Sequence, residues 1–413
     1  MSEEKQFIAA LDVGTTKICV LAAEVDGEGE IRIVGMGNQP SRGMKKGAMV
    51  NLETAVEAIR KAVEEAEESC GRTLGSVFTG LAGSYIQSYN SRAVVPVAKP
   101  QAGITDRDVD NAVRAAQKIT LPEEQRIIHV IPQGFAVDDR SGVVSPVGMS
   151  GSRLEARVHI VTAPWGPLDT LFKAIRQAGV EVEDVFLQPL AASQAVLNKE
   201  EQQSGVVVVD IGGGTTDYVV FHNDAVRHTR SLPLGGDHVT NDVSIGLKLL
   251  VHQAEEVKKK HGCALSARVD PEEKFTSPAF GGRTASHLSR YFLAQVIELR
   301  MSEIFEHINQ DLKINDCYCG LASGLVLTGG AALLDGCREL ASEIIPLPAR
   351  IGKPWGVAGL TEVMDSPVYS TAAGLLKLGW SHRLRVPAGE GNAGPGWTGK
   401  AARGLQSWFK KYF

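Results

Sequence analysis

One pattern occurs twice in this chain, and the two copies stand almost half a chain apart. The stretches FIAALDVGTTKICVLAAEV (residues 7–25) and VVVVDIGGGTTDYVVF (residues 206–221) each join two apolar strands through an Asp, a glycine-bearing turn and two threonines. Asp12 and Asp210 hold matching positions in the two copies. Because a second strand follows each turn at once, both copies predict β-hairpins. The repeat therefore predicts an α/β protein built from two related halves.

The two predicted turns have the chemistry of a phosphate site. Glycines in a tight turn leave no Cβ over the backbone, so several N–H groups can point into one small volume and bind phosphate oxygens. The carboxylates of Asp12 and Asp210 would hold a hydrated Mg²⁺ against the phosphates and take part in catalysis. A single copy could be an ordinary glycine-rich hairpin, and it is the repetition that favours a ligand. The other candidate phosphate contacts are Gly14, Thr15, Thr16, Lys17, Gly212, Gly213, Gly214, Thr215, Thr216 and Asp217.

The stretch GLVLTGGAALLDG (residues 324–336) predicts a buried strand that ends in a strand–turn–helix junction. Two glycines at that junction would let an adenosine lie flat against the backbone, where a Cβ would clash. An ordinary strand–helix turn is the alternative. The candidate contacts are Gly329, Gly330 and Ala331, together with Gly236 in GGDHVTNDVSIGL.

Two helical stretches add candidates, each with a simpler alternative. In VFLQPLAASQAVL (residues 185–197), Gln188 stands where a helix begins, so it could orient an attacking water or merely cap the helix. In AEEVKKKHG (residues 254–262), Glu255 and Lys258 lie three residues apart on one helix face. They could reach the ribose or adenine, or form a solvated surface.

Composition excludes several other classes of protein. The net charge is −5, so there is no overall basic field and no nucleic-acid partner is expected. Neither a Walker P-loop motif nor a Rossmann glycine motif occurs near either hairpin. The acidic start MSEEKQF does not predict a secretory signal, and no apolar run approaches the length of a membrane-spanning helix. The six cysteines form no zinc-ligand set and are expected to be reduced thiols of a cytoplasmic protein.

Taken in order, these segments resemble those of the actin-like ATPases and, more narrowly, the FtsA family of bacterial division proteins. The resemblance implies an α/β, actin-like ATPase fold: two large domains around a nucleotide cleft, duplicated RNase H-like cores, and a small β-α-β-β insert in the first domain. It also implies ATP and Mg²⁺ as ligands. Enzymatic activity stays open, because Gln188 stands where related ATPases often have Glu, so at most a weak ATPase is expected.

The same resemblance suggests domain boundaries. The first domain would comprise residues 1–84, 164–204 and 366–386, and the insert residues 85–163. Helices are predicted at about residues 52–69 and 366–382, and Thr105 is predicted to cap a helix in the insert. The second domain would comprise residues 205–230 and 307–365, and its smaller subdomain residues 231–306. A linker would follow at residues 387–398, and a final helix at residues 399–413.

The resemblance also implies partners. Residues 231–306 would grip the acidic and apolar C-terminal tail of FtsZ, and Arg290 and Arg300 are the candidate contacts. The insert contains no constellation of catalytic residues, so it would serve self-association or the recruitment of later division proteins. A passive insertion is the alternative for this segment.

The end of the chain has a different character. Residues 387–398 are rich in Gly, Pro and Ala, as in a flexible linker. Residues 399–413 follow a helical pattern with aromatic and basic residues on opposite arcs, which favours the surface of an anionic membrane over docking on the body. The protein is therefore expected to be peripheral to the cytoplasmic face of the inner membrane at the division site. The apolar arc consists of Leu405, Trp408, Phe409, Tyr412 and Phe413, and the basic arc of Lys400, Arg403, Lys410 and Lys411.

The function predicted from the sequence is thus an ATP-binding, self-associating tether between FtsZ and the membrane. A small-molecule kinase of the same superfamily is one alternative, but it would need a substrate pocket with a general-base Asp. A chaperone-type ATPase would need a large substrate domain after the second domain. A pilus-assembly relative shares the insert, and the amphipathic tail is the feature that argues against it.

Overall fold

The computed structural model describes residues 5–276 and 287–384. Eighteen strands are assigned among these residues. In chain order they are β1 (Gln6–Val13), β2 (Lys17–Val25), β3 (Ile31–Pro40), β4 (Met44–Lys45), β5 (Ala48–Met49), β6 (Ser76–Leu81), β7 (Gln87–Pro96), β8 (Gln125–Val137), β9 (Arg140–Val143), β10 (Arg153–Pro164), β11 (Glu181–Leu187), β12 (Val206–Ile211), β13 (Thr216–His222), β14 (Ala225–Leu232), β15 (Lys274–Thr276), β16 (His287–Ser289), β17 (Leu325–Thr328) and β18 (Ala349–Ile351).

Eleven α-helices lie in the same described ranges. They are α1 (Leu52–Cys70), α2 (Asp106–Ala116), α3 (Trp165–Gln177), α4 (Gln188–Val196), α5 (Lys199–Ser204), α6 (Gly236–Leu247), α7 (Val251–His261), α8 (Arg290–Ile314), α9 (Cys337–Ile344), α10 (Thr361–Met364) and α11 (Ser370–Arg383).

Two five-stranded sheets have the same topology, so the repeat predicted from the sequence extends to the fold. The first sheet has the order β11-β6-β1-β2-β3, and the second has the order β14-β13-β12-β17-β18. In each sheet an antiparallel hairpin with a third antiparallel strand lies on one side, and two parallel strands lie on the other. Both predicted hairpins are therefore confirmed as hairpins, β1–β2 and β12–β13.

Helices α4 and α11 lie between the two sheets and share one apolar core with both. That core includes Ile8 and Phe78 from the first sheet and Val208 and Val326 from the second. The helices approach so closely that a Cβ added at Gly374 of α11 would lie 1.7 Å from a backbone oxygen of α4. The predicted final helix of the first domain is thus present as α11, and it joins the two halves.

The outer faces of the two sheets are covered by separate helices. Helices α1 and α3 bury the outer face of the first sheet, and α8 and α9 bury that of the second. The predicted helix at residues 52–69 is confirmed as α1, which begins after Asn51; the Asn51 side chain accepts a hydrogen bond from Thr54 N. The molecule is therefore layered as helices, sheet, helices, sheet and helices.

The insert forms a separate four-stranded sheet of order β7-β10-β8-β9, with α2 packed on it. Thr105 begins α2 with a capping box in which Asp108 is the reciprocal partner, which confirms the predicted cap. The short strand β9, which follows β8 through a tight turn, was not predicted. Its four residues are mostly exposed, so they lack the apolar alternation that marks a buried strand.

The insert also contacts the second sheet along β14, which is an edge strand. Three polar side chains of the insert donate hydrogen bonds to backbone carbonyls of β14. These are Gln133 Nε2 to Val226 O at 2.8 Å, Asn90 Nδ2 to Arg227 O at 3.1 Å and Ser88 Oγ to Thr229 O at 3.0 Å. The contact satisfies carbonyls that an edge strand would otherwise leave unpaired.

Candidate functional site

The first turn, residues 14–16, joins β1 to β2. Its backbone closes through Gly14 N, which donates to Lys17 O at 2.9 Å. Lys17 Nζ lies 3.9 Å from Asp12 Oδ2, donates to Val368 O at 2.9 Å, and stands over the ring of Tyr369 at 4.6 Å. The predicted phosphate-side cation is therefore held between the strand-end carboxylate and the segment that precedes α11.

The second turn repeats this backbone arrangement. Gly212 N donates to Thr215 O at 2.9 Å, and the Thr215 hydroxyl donates to Asp217 Oδ2 at 2.7 Å. Asp217 lies directly opposite Asp210 in the β12–β13 ladder. Thr216 Oγ1 donates to Leu234 O, so this hydroxyl is directed into the domain.

The two turns lie against each other. A Cβ added at Gly213 would lie 2.3 Å from Thr16 Cγ2, and one added at Gly214 would lie 2.4 Å from Thr15 Oγ1. Such distances are far below van der Waals contact, so neither position accepts a side chain without displacing a threonine of the opposite turn. The structure thus brings together the two candidate phosphate turns, with glycines of one facing threonines of the other.

Asp12 and Gln188 form a direct pair. Gln188 begins α4, and its Nε2 donates to Asp12 Oδ1 at 3.0 Å. Both side chains are buried, and burial raises the pKa of Asp12 although the Lys17 charge opposes that shift. Gln188 is therefore not an exposed capping residue, because its amide is directed at the strand-end carboxylate.

Asp210 occupies the matching position in the second half. Thr371 Oγ1, at the start of α11, donates to Asp210 Oδ2 at 2.7 Å. Burial, with a smaller contribution from the charge of Asp12, raises the pKa of Asp210 to about 6, although the hydrogen bond from Thr371 and the Lys17 charge oppose that shift. Burial likewise raises the pKa of Asp217 to about 7. Asp12 is buried and Asp210 is partly buried, and each carboxylate acts on the charge of the other or of its neighbours. Such carboxylates suit a divalent cation, so Asp12 and Asp210 are compatible with the predicted Mg²⁺ role.

Glu255 and Lys258 lie beside the start of α6. Lys258 is 7% exposed, and its Nζ contacts Glu255 Oε2 at 2.5 Å, Gly236 O at 3.0 Å and Thr240 Oγ1 at 2.8 Å. Gly236 N in turn donates to Gly212 O at 2.9 Å. The alternative of a solvated helix face is therefore wrong for Lys258, since this pair packs against the second candidate phosphate turn.

The predicted junction after β17 differs from the sequence prediction in one respect. A 3₁₀ turn over Gly330–Leu333 follows β17, and the α-helix begins only at Cys337. Gly329 has a φ of +84°, and a Cβ there would lie 2.3 Å from Asp210 Oδ1. The left-handed residue at this point redirects the chain, which explains why no α-helix follows the strand directly. Ala331 lies close to Gly236, where an added Cβ would be 3.5 Å from the Ala331 Cβ.

Sequence reasoning missed residues that reach this site from distant segments. Thr371 contacts Asp210, Val368 accepts a hydrogen bond from Lys17, and the Gly47 amide donates to Thr15 Oγ1 at 3.1 Å. The glycines of SRGMKKGAM marked a turn at residues 43–47, but nothing in the sequence showed where that turn would pack. Thr371 carried no signal, because a threonine at the start of a helix is common.

Each of the two candidate partner arginines is paired within its own domain. Arg290 Nη1 lies 2.9 Å from Glu273 Oε2, and Arg300 Nε lies 2.6 Å from Asp242 Oδ2. Arg300 also contacts Glu303. Both arginine side chains are 25% exposed, and their assignment to a partner stays a prediction.

The predicted linker and the candidate membrane residues lie outside the described residues. Nothing in the structure therefore tests the assignment of Leu405, Trp408, Phe409, Tyr412, Phe413, Lys400, Arg403, Lys410 and Lys411. Within residues 5–276 and 287–384, no helix combines the length and apolar character needed to cross a bilayer.

Comparison with known proteins identifies the family. A family model described as "Cell division protein FtsA" matches residues 207–374, and one described as "SHS2 domain inserted in FTSA" matches residues 83–162. Cell division protein FtsA of Pseudomonas aeruginosa is 40% identical over 374 residues, covering 91% of this chain and 89% of that relative. The chain belongs to the FtsA family of cell division proteins. The FtsA of Escherichia coli K12 is 36% identical over 417 residues and covers 99% of both chains.

Solved structures agree with the FtsA-type fold. The PilM-PilN type IV pilus biogenesis complex aligns with a TM-score of 0.65 at 18% identity, covering 90% of this chain and 98% of that chain. MreB5 of Spiroplasma citri bound to ADP aligns with a TM-score of 0.55 at 14% identity, covering 92% of this chain and 99% of that chain. At such identities the likeness shows the fold alone, and it confirms the predicted actin-like ATPase fold of this FtsA-family chain. The family match favours FtsA over the pilus-assembly and kinase alternatives that the sequence left open.

Proposed function

We propose that this FtsA-family protein binds ATP with Mg²⁺ between its two large domains, self-associates, and tethers FtsZ to the cytoplasmic face of the inner membrane at the division site. The observation that carries the nucleotide part is the direct contact between the two glycine–threonine turns, each of which follows a strand-end carboxylate, Asp12 or Asp210. One turn belongs to each half of the molecule. A nucleotide held by both turns would therefore link nucleotide occupancy to the angle between the halves.

The roles of individual residues in ATP binding follow from their positions. The backbone amide of Gly213, with the facing threonines, would hold the phosphates. Gly14, whose amide closes the first turn on Lys17 O, would shape that turn around them. Lys17 would exchange its bond to Val368 for a phosphate oxygen. Asp12 and Asp210 would hold the hydrated Mg²⁺, which supplies charge neutralisation to the phosphates when bound.

Adenosine would lie between the start of α6 and the junction after β17. Glu255, Lys258 and Gly236 form one side, and Gly330 and Ala331 form the other. A Cβ added at Gly330 meets no atom within 4 Å, so this glycine faces open space that a flat ligand could use.

Any hydrolysis of ATP is expected to be slow. Gln188 is directed at Asp12 through its amide, and an amide cannot accept a proton from water as a carboxylate can. Gln188 would therefore orient a water without activating it. Single-turnover phosphate release should fall further in Gln188→Ala, whereas release unchanged by that substitution would remove Gln188 from the reaction.

Calorimetric titration of the full chain with Mg-ATP tests the nucleotide site. We expect one nucleotide per chain and a loss of affinity of at least about 10-fold in Gly213→Ala, because the new Cβ would displace Thr16 from the opposite turn. Gly75→Ala is the matched control, since a Cβ at Gly75 meets no atom within 4 Å. Absence of ATP binding by the native chain would refute this part of the proposal.

The FtsZ tail is proposed to bind along α6 and α8. Apolar side chains lie exposed there near Arg300: Ile245 is 69% exposed, Phe292 44% and Leu299 75%. Such side chains beside partly exposed arginines suit a peptide that is both acidic and apolar, which is the character that family resemblance gives the FtsZ tail.

Co-sedimentation with FtsZ tests this surface. Arg300→Glu would place a carboxylate beside Asp242 and Glu303 and disturb the fold, so Leu299→Ser and Arg300→Gln are the better variants. Both should weaken co-sedimentation by about 10-fold or more, as expected for loss of a central contact. Arg338→Gln, an exposed arginine on α9, is the control. Equal binding by all three variants would place the FtsZ surface elsewhere.

Membrane attachment is proposed to reside in residues 399–413. One such helix is expected to bind weakly and reversibly, and self-association or FtsZ would combine many copies into firm attachment. Flotation with anionic vesicles should recover the full chain but not a chain ending at Val386. The shortened chain keeps both described ranges, residues 5–276 and 287–384. In the full-length chain, the Trp408→Glu substitution should also reduce the amount of protein recovered with the vesicles. Equal flotation of the full and shortened chains would remove the tether from the proposal.

The insert is proposed to serve self-association or the docking of later division proteins. Its sheet has its own small apolar cores, and α2 covers part of it. An independent core suits a module that can present a surface without altering the nucleotide cleft.

A further inference from the structure

A two-residue hairpin loop formed by Lys46 and Gly47 connects β4 and β5. Both residues have positive φ angles, +51° and +77°. Two positive φ angles in a two-residue hairpin loop are the signature of a type I′ turn, where Asn, Asp or Gly is the usual first residue. A lysine there is strained, because its Cβ approaches the following carbonyl oxygen. A strained residue that the fold retains points to a role for its side chain.

The hairpin loop is packed against both phosphate turns. Gly47 N donates to Thr15 Oγ1 of the first turn at 3.1 Å. A Cβ added at Gly47 would lie 3.0 Å from Thr215 Cγ2 of the second turn and 3.0 Å from the Gly83 Cα. Just before the hairpin, Ser41 N donates to Thr16 O at 3.0 Å. This hairpin, which belongs to the first half, therefore contacts both turns.

The Lys46 side chain is exposed and carries its charge to the second half. Its ammonium acts on His238, whose pKa is lowered first by burial and then by Lys46. His238 lies in the first turn of α6, and there Gly236 N and Asp237 N donate to Gly212 O and Gly213 O of the second phosphate turn. Because the adjacent Gly47 lies against Thr215 of the second turn, Lys46 is a cation of the first half next to that turn.

We propose that the Lys46–Gly47 hairpin is a third element of the phosphate site, in which Gly47 aligns the Thr15 hydroxyl and Lys46 supplies a cation to the terminal phosphate of a nucleoside triphosphate. This inference rests on the proposed function, since it assigns a further ligand contact to the same cleft.

The charges of the proposed nucleotide site explain why a further cation, besides Lys17 and Lys258, is needed there. Lys17 is shared with Asp12 and Val368 O, and Lys258 is bound to Glu255 and the backbone of Gly236. A triphosphate brings more negative charge than a diphosphate into a site that already holds buried carboxyl groups. An exposed lysine on the loop that contacts both turns can approach the outermost phosphate, and it would discriminate the triphosphate from the diphosphate.

Calorimetric titrations of the full chain with Mg-ATP and with Mg-ADP test the proposal. Lys46→Gln should weaken Mg-ATP binding by about 10-fold, the size of one charge-assisted contact, and Mg-ADP binding by less. Lys46→Arg should keep most of the affinity. Lys45→Gln is the matched control, because Lys45 is also exposed and stands one residue away on β4, where it pairs with Ala48.

Lys46→Asn separates the charge from the backbone conformation. Asparagine tolerates positive φ, so this variant should unfold at a slightly higher temperature than the native chain while losing the same ATP affinity as Lys46→Gln. A variant that is more stable yet binds ATP less tightly cannot be explained by misfolding.

The outcomes distinguish this inference from the proposed function. If the native chain binds no nucleotide, the proposed function fails. If the native chain binds ATP and Lys46→Gln binds it equally, the proposed function stands and this inference fails. The inference also fails if Lys46→Gln and Lys45→Gln lose equal affinity and if each loses as much for ADP as for ATP. The effect would then come from the general electrostatic attraction of surface lysines.

Discussion

Gly329 and Gly330 are neighbours in sequence, but an added methyl group would meet very different surroundings at the two positions. Gly329→Ala would force a left-handed backbone onto alanine and bring its Cβ to 2.3 Å from Asp210 Oδ1. We expect a loss of about 2 kcal/mol or more in the free energy of unfolding. Chemical denaturation measures this loss.

Gly330→Ala is the matched control for stability. Its Cβ meets no atom within 4 Å, so the free energy of unfolding should change by only a few tenths of a kcal/mol. Because this position faces the proposed adenosine surface, Mg-ATP affinity should still fall. Similar destabilisation of the two variants would contradict the close approach of Gly329 to Asp210.

His159 connects the stability of the insert contact to pH. It lies 2.7 Å from Asn90 Oδ1 and 2.9 Å from Thr229 Oγ1, and burial lowers its pKa from 6.5 to about 3. Between these values the unfolded chain binds a proton here and the folded chain does not. The neutral His159 side chain therefore contributes fully to the free energy of unfolding only above pH 6.5. This contribution decreases as the pH falls, and about 2 kcal/mol of it is lost at a pH near 5.

Urea denaturation of the native chain and of His159→Gln at two pH values measures that contribution. Asp210 and Asp217 have raised pKa values and act with the opposite sign, so only the difference between the two proteins isolates the histidine. The stability advantage of the native chain over His159→Gln should shrink by roughly 2 kcal/mol between about pH 7 and about pH 5. Parallel curves would show that His159 does not titrate as described.

At the scale of elements, the crossing of α4 and α11 depends on a glycine. Alanine normally favours a helix over glycine by up to about 1 kcal/mol, but a Cβ at Gly374 would lie 1.7 Å from the Ala191 carbonyl oxygen. The clash must outweigh the helix propensity, because the Ala191 oxygen is a backbone atom and the position of the new Cβ is fixed by the backbone of α11. We expect Gly374→Ala to lose about 3 kcal/mol or more in the free energy of unfolding.

Gly166→Ala provides the control of opposite sign. Gly166 lies in α3, and a Cβ there meets no atom within 4 Å. Helix propensity then acts alone, so the variant should be unchanged or more stable by up to about 1 kcal/mol. Thermal unfolding of both variants side by side measures the contrast, and a stable Gly374→Ala would mean that the two helices can separate.

At the scale of the whole molecule, the two large domains should unfold together. One apolar core contains residues of both sheets and of the two helices between them, so neither half buries its inner face alone. Calorimetry should show one transition for the two large domains, with hydrogen exchange protecting β1 and β12 to the same extent. Two separate calorimetric transitions, together with unequal hydrogen-exchange protection of β1 and β12, would show that the halves unfold independently. The insert has its own core and is free to open earlier.

The sequence by itself determined the parts of this protein that depend on local chemistry. The hairpins with their glycine–threonine turns, α1 and the Thr105 cap follow from strand periodicity, capping and glycine conformation within short stretches of chain. The family resemblance supplied the overall fold, because the order of these stretches is itself informative.

Only the tertiary structure decided which groups meet in the cleft. Gln188 reaches Asp12 across 176 residues, Thr371 reaches Asp210 across 161, and Lys17 reaches Val368 across 351. The Lys46–Gly47 loop likewise became part of the site only through packing against two turns that a local pattern does not connect. Such contacts depend on how separate elements pack, and no periodicity or turn rule within a segment specifies the neighbour it will have.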